Sequence, residues 1–511
     1  MAYSDDALFY GVIANNFVQG HGFSFDGGFS HTNGFHWAQM IVSLVSAGAY
    51  HLLDARADFH QFLPFNFFVD LVVLAVCSLL IIHLFQVELK KPYHRAVVLF
   101  FVSQALSMGF GTEQVILVTV AVGLTVKLFK RNVRVSVAGF LAFVVVLARI
   151  DMAWLPAMAL IVSTMARAHF GLVRRNNSST LFVGIFAGTI LGVATVFCLN
   201  ALAAGDVRSS SWIAKSAQAK WHLEEFVQNV RLTWQYFAVF LAVLSVTLVQ
   251  RKYVSRSPIV ALQFLTSIMG SIMLLSLIGL RSLGGNNLGP WYDVGWTTFL
   301  LVSLSLLFIS WSTKVHSRLR WVGFVVILFC IAIVVPAENV RLRLGSQRQE
   351  IVAYYQGLSA VGDSVRIRVD PQALIGVDDL PGRFTYYTQR RIVALDGLAN
   401  SPEYVINHLA NSFISSYVES NLDYVIALQE LHIKGGDHRV CITLGFPFNK
   451  NFKQETWCVE REQVIFQSTL SDTDVARWPI MLITIHKKIS SICSRLPMGS
   501  ISKPPQGSSM P

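Results

Sequence analysis

The chain has 511 residues, of which 53% are hydrophobic and only 14% charged, with a formal net charge of +11. A soluble globular chain carries roughly a quarter charged residues, so this composition excludes a single water-soluble domain. Apolar runs of roughly 18–24 residues, long enough to cross a hydrocarbon core of about 30 Å as helices, recur through the first two thirds.

In chain order, the opening stretch MAYSDDALFYGVIANNFVQGHGFSFDGGFSHTNGFHW sets two adjacent acids, Asp5 and Asp6, directly after Ser4. A serine followed by acids reads as a helix start, with a side-chain cap and negative charge in the first turn. Spans are predicted near 64–87, 95–111, 113–127, 134–150, 151–167, 180–203, 232–250, 258–280, 291–313 and 320–337. Basic residues concentrate in every second loop: Lys90, Lys91 and Arg95; Lys127, Lys130, Arg131 and Arg134; Arg167, Arg174 and Arg175; Arg251, Lys252 and Arg256; Lys314, Arg318 and Arg320. That alternation is the positive-inside pattern, which places these loops in the cytoplasm. The positive charge is therefore topology, and no nucleic-acid partner is expected.

The intervening loops then lie outside: GTEQ at 111–114, ARID at 148–151, AGDVRSSSWIAKSAQAKW at 204–221, RSLGGNNLGPWY at 281–292, and everything after about 338. Counting back puts residues 1–61 outside too, so the apolar stretch 37–53 begins and ends on one side, as a juxtamembrane or re-entrant helix. An outer N-terminus needs a signal peptide or a preceding span, and neither is visible. The expectation is that a first helix has been lost.

Residues 338–493 alternate strand-like and helical stretches. SVRIRVD, RIVALDG, DYVIAL, VCITLG and QVIFQS read as strands, and SPEYVINHLANSFISSYVESN as a helix opened by Ser401 and Pro402. The fold class expected is thus a polytopic α-helical membrane protein of about ten spans with a C-terminal extracytoplasmic α/β domain. Its units are a first outer loop (1–61), a membrane domain (62–337), the α/β domain (338–493) and a disordered Pro/Ser/Gly-rich tail (494–511). Cys77, Cys198 and Cys330 fall in apolar spans and read as packing residues, whereas Cys441 and Cys458 lie where a disulfide is permitted. No CxxC or His/Cys cluster suggests zinc, and no internal repeat is visible.

Ionisable residues at membrane-helix ends raise a functional question, and here they share one side. Asp5, Asp6, Glu113, Arg149, Asp151, Lys215 and the pair Trp291–Tyr292 all map to outer helix ends. An acidic cluster facing a basic group at one surface can act as a base with a phosphate clamp.

At this point the sequence resembles a family. Asp5–Asp6, the turn Gly20–His21–Gly22 and Thr32–Asn33–Gly34–Phe35–His36 resemble the first outer loop of bacterial GT-C glycosyltransferases, polytopic enzymes of the dolichyl-phosphate-mannose mannosyltransferase type. Trp37 stands directly after the histidine, where that loop usually has Pro-Leu. GTEQ with Glu113, LARID with Arg149 and Asp151, Asn200 followed by Lys215–Ser216, Pro290–Trp291–Tyr292, and RIVALDGLANSPEY continue the resemblance in the family's order. In that last segment Ala394 replaces the usual Asn.

The resemblance implies inverting transfer of a hexosyl or pentosyl group from a polyprenyl-phosphate-linked sugar to a hydroxyl of a glycan, lipid or protein. The site would lie at the outer face of a bacterial inner membrane. One carboxylate of the Asp5/Asp6 pair would be the base, Lys215, Arg149 and Arg208 would bind the donor phosphate, and Glu113 and Asp151 would bind acceptor or metal. Asn33, His36, Trp291 and Tyr292 would line the substrate cavity. A divalent cation such as magnesium or manganese stays open, since some relatives use one and others do not.

Each residue also has a plainer reading: Glu113 as a solvated helix-end acid, Arg149 and Asp151 as a mutual pair, and Lys215 as a headgroup-facing lysine. His36 can hydrogen-bond within a tight loop, and Asp396 can close a turn after a strand. The rival functions are a lipid or solute transporter, which predicts charges near the bilayer midplane and inverted repeats, and a non-catalytic membrane scaffold.

Overall fold

The computed structural model describes residues 5–54, 59–86, 92–130, 133–170, 178–216, 223–253, 258–284, 293–314, 347–378, 380–411, 413–428, 439–444, 455–469 and 479–484. Twelve helices come first: α1 Asp5–Asn16, α2 Trp37–Leu53, α3 Phe59–Leu84, α4 Pro92–Ser107, α5 Gln114–Lys130, α6 Val135–Ala148, α7 Leu155–His169, α8 Ser178–Ala204, α9 Ser210–Ser216, α10 Leu223–Tyr253, α11 Pro258–Gly284 and α12 Val294–Lys314. By length and composition, Phe59–Leu84, Ile150–His169, Ser179–Ala204 and Pro258–Ser282 are long and apolar enough to cross a membrane, joined by shorter apolar helices such as Val135–Ala148 and Val294–Ser310. The expected span 320–337 and the expected tail 494–511 lie outside the described residues.

Helix α5 is buried almost all round, from Gln114 through Phe129, as an apolar helix at the centre of a bundle must be. By contrast α3 and α8 expose Phe68, Val76, Leu79, Phe182, Phe186 and Ile190, faces that only hydrocarbon can cover. The expected spans 134–150 and 151–167 are parted after Ala148: Arg149 is extended, Ile150–Met152 make a 3-10 turn, and Pro156 sits in the first turn of α7. Helix α4 stops at Ser107, short of the expected 111, and the turn 108–113 carries Glu113 to the head of α5.

Helices α6 and α8 approach most closely along Gly184, Gly188 and Gly192, one turn apart on α8. A Cβ on Gly188 would overlap the backbone oxygen of Gly139, and one on Gly184 would stand 2.9 Å from that of Val135. Small residues at this spacing let backbones meet, which is how helices associate where lipid removes the hydrophobic drive. Helix α2 returns along the first half of α3: Gln39 faces Asp70, while Tyr50 faces Phe62 and Phe65 with ring centroids 6.0 and 5.3 Å apart. It is one continuous helix, packed antiparallel to the first half of α3.

The C-terminal part is an α/β unit. Helices α13 Gln347–Arg368, α14 Pro381–Thr388 and α15 Ile414–Asn421 accompany strands β1 Leu374–Val377, β2 Arg391–Ala394, β3 Tyr424–Leu428, β4 Arg439–Leu444, β5 Glu455–Glu460, β6 Val464–Thr469 and β7 Pro479–Thr484. The five-stranded sheet runs β2-β1-β3-β7-β6, with β1 parallel to β2 and β3 and the remaining pairs antiparallel. Strands β4 and β5 form a hairpin in which Cys441 faces Cys458 and the two are disulfide-bonded.

Two sequence expectations fail here. SVRIRVD is the end of α13, not a strand: Leu358, Val361, Val365 and Val369 recur at helical spacing and are buried, which outweighs a short period-two alternation. The helix expected from Ser401 does start there, with the Tyr404 amide donating to Ser401 Oγ at 3.1 Å, but it widens over Val405–Leu409 and stops before Ile414.

The α/β unit shares a core with the front of the chain. Phe9, Tyr10 and Ile13 of α1 and Phe62 of α3 pack in one buried cluster with Leu358, Val361, Ile375, Phe384 and Ile392.

The glycine seam carries a prediction. Replacing Gly188 by leucine should force α6 and α8 apart and cost about 3 kcal/mol or more, read as a drop in unfolding midpoint in detergent micelles. Gly279→Ala, where nothing lies within 4 Å of the new Cβ, should be neutral or stabilising by up to about 1 kcal/mol. Equal effects of the two would contradict the packing described.

Candidate functional site

The cluster assembles where α1, the turn before α5, and the break between α6 and α7 meet. Asp6 and Tyr10 are four residues apart and share one face of α1. The Tyr10 hydroxyl donates to Glu113 Oε2 at 2.9 Å, across 103 residues of sequence. Gln114 Nε2 donates to Glu113 Oε1 at 3.2 Å, and Arg149 Nη1 lies 3.5 Å from the same oxygen. Arg149 then turns to Asp151, donating from Nε to Oδ1 at 2.9 Å and from Nη2 to Oδ2 at 2.6 Å. This two-point grip is the strong form of a guanidinium–carboxylate pair.

Burial sharpens the electrostatics. Glu113 is 4% exposed and Arg149 3%, so each charge depends on the other instead of on water. The Asp151 side chain is 35% exposed, which makes it the open edge of the cluster. Burial, and then the Glu113 carboxylate, push the Tyr10 hydroxyl well above its ordinary range, with Asp6 adding to the effect; the phenol stays protonated and donates. His36, the residue before α2, donates its amide to the Tyr10 oxygen at 3.3 Å and places Nε2 3.7 Å from Glu113 Oε1.

Arg149 also lines a narrow cleft with Gln114, Met152, Met273, Leu277, Leu280 and Trp296. Its wall is apolar apart from the Arg149 guanidinium and the Gln114 amide. The Trp296 ring is fixed by its Nε1 donating to Asp293 at 2.9 Å, and Asp293 pairs with Arg281 at 3.3 Å.

The structure thus brings together Asp6, Glu113, His36, Arg149 and Asp151 from the sequence expectations. It separates others. Asp5 turns to the α/β unit, accepting from the amides of Arg383 at 2.8 Å and Gly382 at 3.4 Å. Asn33 does not line an accessible cavity: it is fully buried. Its side chain donates to the carbonyls of Asp206 at 2.9 Å and Arg208 at 3.0 Å and accepts from the Ser210 amide at 2.8 Å. Asn200 does similar work, accepting from Trp37 Nε1 at 2.8 Å and donating to the Val207 carbonyl at 3.0 Å. Both clamp the loop that leads into α9.

The Arg208 guanidinium is half exposed and pairs with Asp206 at 3.1 Å, not with the Glu113 cluster. Lys215 falls on α9, but its side chain lies outside the described residues, as do Trp291 and Tyr292. Asp396 closes the turn after β2, accepting from the Leu398 amide at 2.9 Å. In the first loop Gly20 and Gly22 hold φ of +86° and +69°, a backbone that only glycine adopts readily.

Tyr10 was missed, although its spacing of four from Asp6 was a usable signal. Asp70 was missed as well, a lone acid in the apolar run FNFFVDLVVLAV. It is buried, and accepts from Gln39 at 3.0 Å and Asn66 at 3.4 Å, which ties α2, and with it His36, to α3.

A divalent cation does not fit the cluster. The Glu113 oxygens are engaged by Tyr10, Gln114 and Arg149, and the guanidinium already supplies positive charge where a cation would sit. Among the described residues no group of three or more His, Cys, Asp or Glu is placed to hold a metal ion.

No family model and no curated protein matches this sequence. Among solved structures, the chain is similar to ArnT from Cupriavidus metallidurans bound to undecaprenyl phosphate. The likeness covers 95% of this chain and 94% of that one, with 12% sequence identity and a TM-score of 0.48.

The Tyr10–Glu113–Arg149 linkage is testable as a unit. Tyr10→Phe should cost about 1–2 kcal/mol, the usual worth of a hydrogen bond to a charged group, and Glu113→Ala about 3 kcal/mol through loss of a buried counter-charge. Unfolding in mixed micelles should show the two substitutions coupled by about 1 kcal/mol; strict additivity would mean that they do not act together.

Proposed function

We propose that the protein transfers a glycosyl group from a polyprenyl-phosphate-linked sugar to an acceptor hydroxyl at the extracytoplasmic face of a bacterial inner membrane. The observation that carries this reading is the buried Arg149, held by Glu113 and Asp151 beside an apolar cleft, with α1 joined to the same Glu113 through Tyr10. The basic loops at the opposite ends of the helices, Lys127 and Lys130 among them, give the cluster its outward orientation under the positive-inside rule.

The chemistry follows from these groups. The lipid tail of the donor lies along Met273, Leu277 and Leu280, and its phosphate meets Arg149. Of the Asp5/Asp6 pair, the Asp6 carboxylate accepts the proton of the acceptor hydroxyl as the oxygen attacks the anomeric carbon from the side opposite the phosphate, giving inversion. The anomeric carbon–oxygen bond to the phosphate breaks as the new glycosidic bond forms, and the guanidinium stabilises the charge that develops on the leaving phosphate. Asp6 is the better placed of the pair, because it shares a face of α1 with Tyr10 and acts on that hydroxyl electrostatically, whereas Asp5 faces the α/β unit. Tyr10, protonated and bonded to Glu113, fixes the helix face from which Asp6 acts. Glu113 and Asp151 hold Arg149 in orientation, and His36 closes the same side of the cluster.

A transporter reading would draw on Asp70, an acid inside a long apolar helix. That carboxylate is bonded to Gln39 and Asn66, so it fits the scaffold role of tying α2 to α3.

The test is sugar transfer in nanodiscs, with undecaprenyl-phosphate-linked hexoses and pentoses as donors and a cell-envelope glycan or lipid fraction as acceptor. Asp6→Asn should lower turnover about 10²- to 10⁴-fold, the range for loss of a general base. Arg149→Met should lower it about 10²- to 10³-fold. Turnover within twofold of wild type in both variants would overturn the assignment.

A further inference from the structure

The α/β unit grips the front of the chain at a point where its own backbone is incomplete. Helix α14 has no cap from its own sequence: Leu380, the residue before it, makes no side-chain cap bond and holds φ +56° and ψ +41°. This left-handed conformation is unfavourable for leucine and persists only where the surroundings impose it. Pro381 has no amide to satisfy. The next two amides, of Gly382 and Arg383, are met by the carboxylate of Asp5, more than 370 residues earlier in the chain. A negative side chain accepting from these amides is what a helix start needs, here delivered from another element.

The fit around this contact is close. A Cβ on Gly382 would come 2.9 Å from the Asp5 carbonyl oxygen and 3.0 Å from Leu8 Cβ, so only glycine lets α14 approach α1. Phe384 enters the core that contains Phe9 and Ile13, and Tyr386 packs with Ala7, Leu8 and Leu63. Other bonds from the same unit reach the same stretch of chain. Arg391 Nε donates to the Asp26 carbonyl at 3.1 Å, and Ser30 Oγ donates to Asn400 Oδ1 at 3.3 Å. All of them fall on residues 5–34, the segment that carries Asp6 and Tyr10.

We propose that Asp5 is a positioning residue that caps α14 across the domain boundary, and that this docking fixes the rotation of α1 which sets Asp6 and Tyr10 against the Glu113 cluster. The adjacent acids then have separate tasks, one toward the α/β unit and one toward the reaction. The docking stands on the structure alone; only its consequence for transfer rests on the function proposed above.

The experiment is hydrogen exchange on the full chain in nanodiscs, with sugar transfer from undecaprenyl-phosphate-linked hexoses and pentoses followed in parallel. Asp5→Ala should speed exchange of the 382–385 amides about tenfold, the usual size of a lost cap, should loosen α1, and should lower transfer. Asp5→Asn, a comparable cap, should restore most of both. Asp6→Asn should lose transfer while α14 stays as protected as in the wild type. Unchanged exchange at α14 in Asp5→Ala, or failure of Asp5→Asn to recover protection, would overturn the docking role. Protection that behaves as described in a chain showing no sugar transfer supports the docking and counts only against the proposed reaction.

Discussion

The arrangement depends on one buried guanidinium. Arg149 is 3% exposed, and a charge so placed is tolerated only with partners in good geometry. Much of the surrounding architecture can be derived from that demand. Helix α6 stops at Ala148 so that the extended Arg149 backbone and the following 3-10 turn bring Asp151 under the side chain. Helix α4 ends early so that the turn before α5 delivers Glu113 from the other side. Tyr10 and His36 then complete Glu113 from the first segment of the chain.

Replacing a buried charge pair by apolar side chains is often neutral or stabilising, so stability is a weak reason to retain this one. A reason lies in the cleft that Arg149 lines, where apolar walls and one cation match an anionic lipid better than they match a bundle core. The α/β unit belongs to the same construction. Its sheet buries α1 in a shared core, and α14 takes its cap from Asp5, so the α/β unit and the first helix form one folded element.

Much of this was legible in the sequence. Apolar run length gave the order of the long helices, because it follows from the thickness of the bilayer itself. Glu113, Arg149 and Asp151 were legible because polar residues at helix ends on one side stand out against so apolar a background. The break between α6 and α7 was legible too, as the loop ARID between the expected spans 134–150 and 151–167, whereas the early end of α4 at Ser107 was not. Tyr10 and Asp70 were missed as site and scaffold residues, because Glu113 and Gln39, to which they bond, lie 103 and 31 residues away. Asn33 matched a family segment, yet its bonds tie the loop before α9 to the end of α8, and no local pattern separates a clamp from a cavity wall. The same limit hid the division between Asp5 and Asp6, which depends on a glycine and an uncapped helix near residue 382. SVRIRVD misled for a related reason: its short alternation concealed the longer helical spacing of Leu358, Val361, Val365 and Val369.

The most direct measurement is a cryo-EM structure of the full chain in nanodiscs with undecaprenyl phosphate added. The account predicts phosphate density within about 3 Å of the Arg149 guanidinium, the distance of a charge-assisted hydrogen bond, with the first isoprene units along Met273, Leu277 and Leu280. Phosphate bound instead among the basic loops near Lys127 and Arg134, with the Arg149 cleft empty, would contradict it.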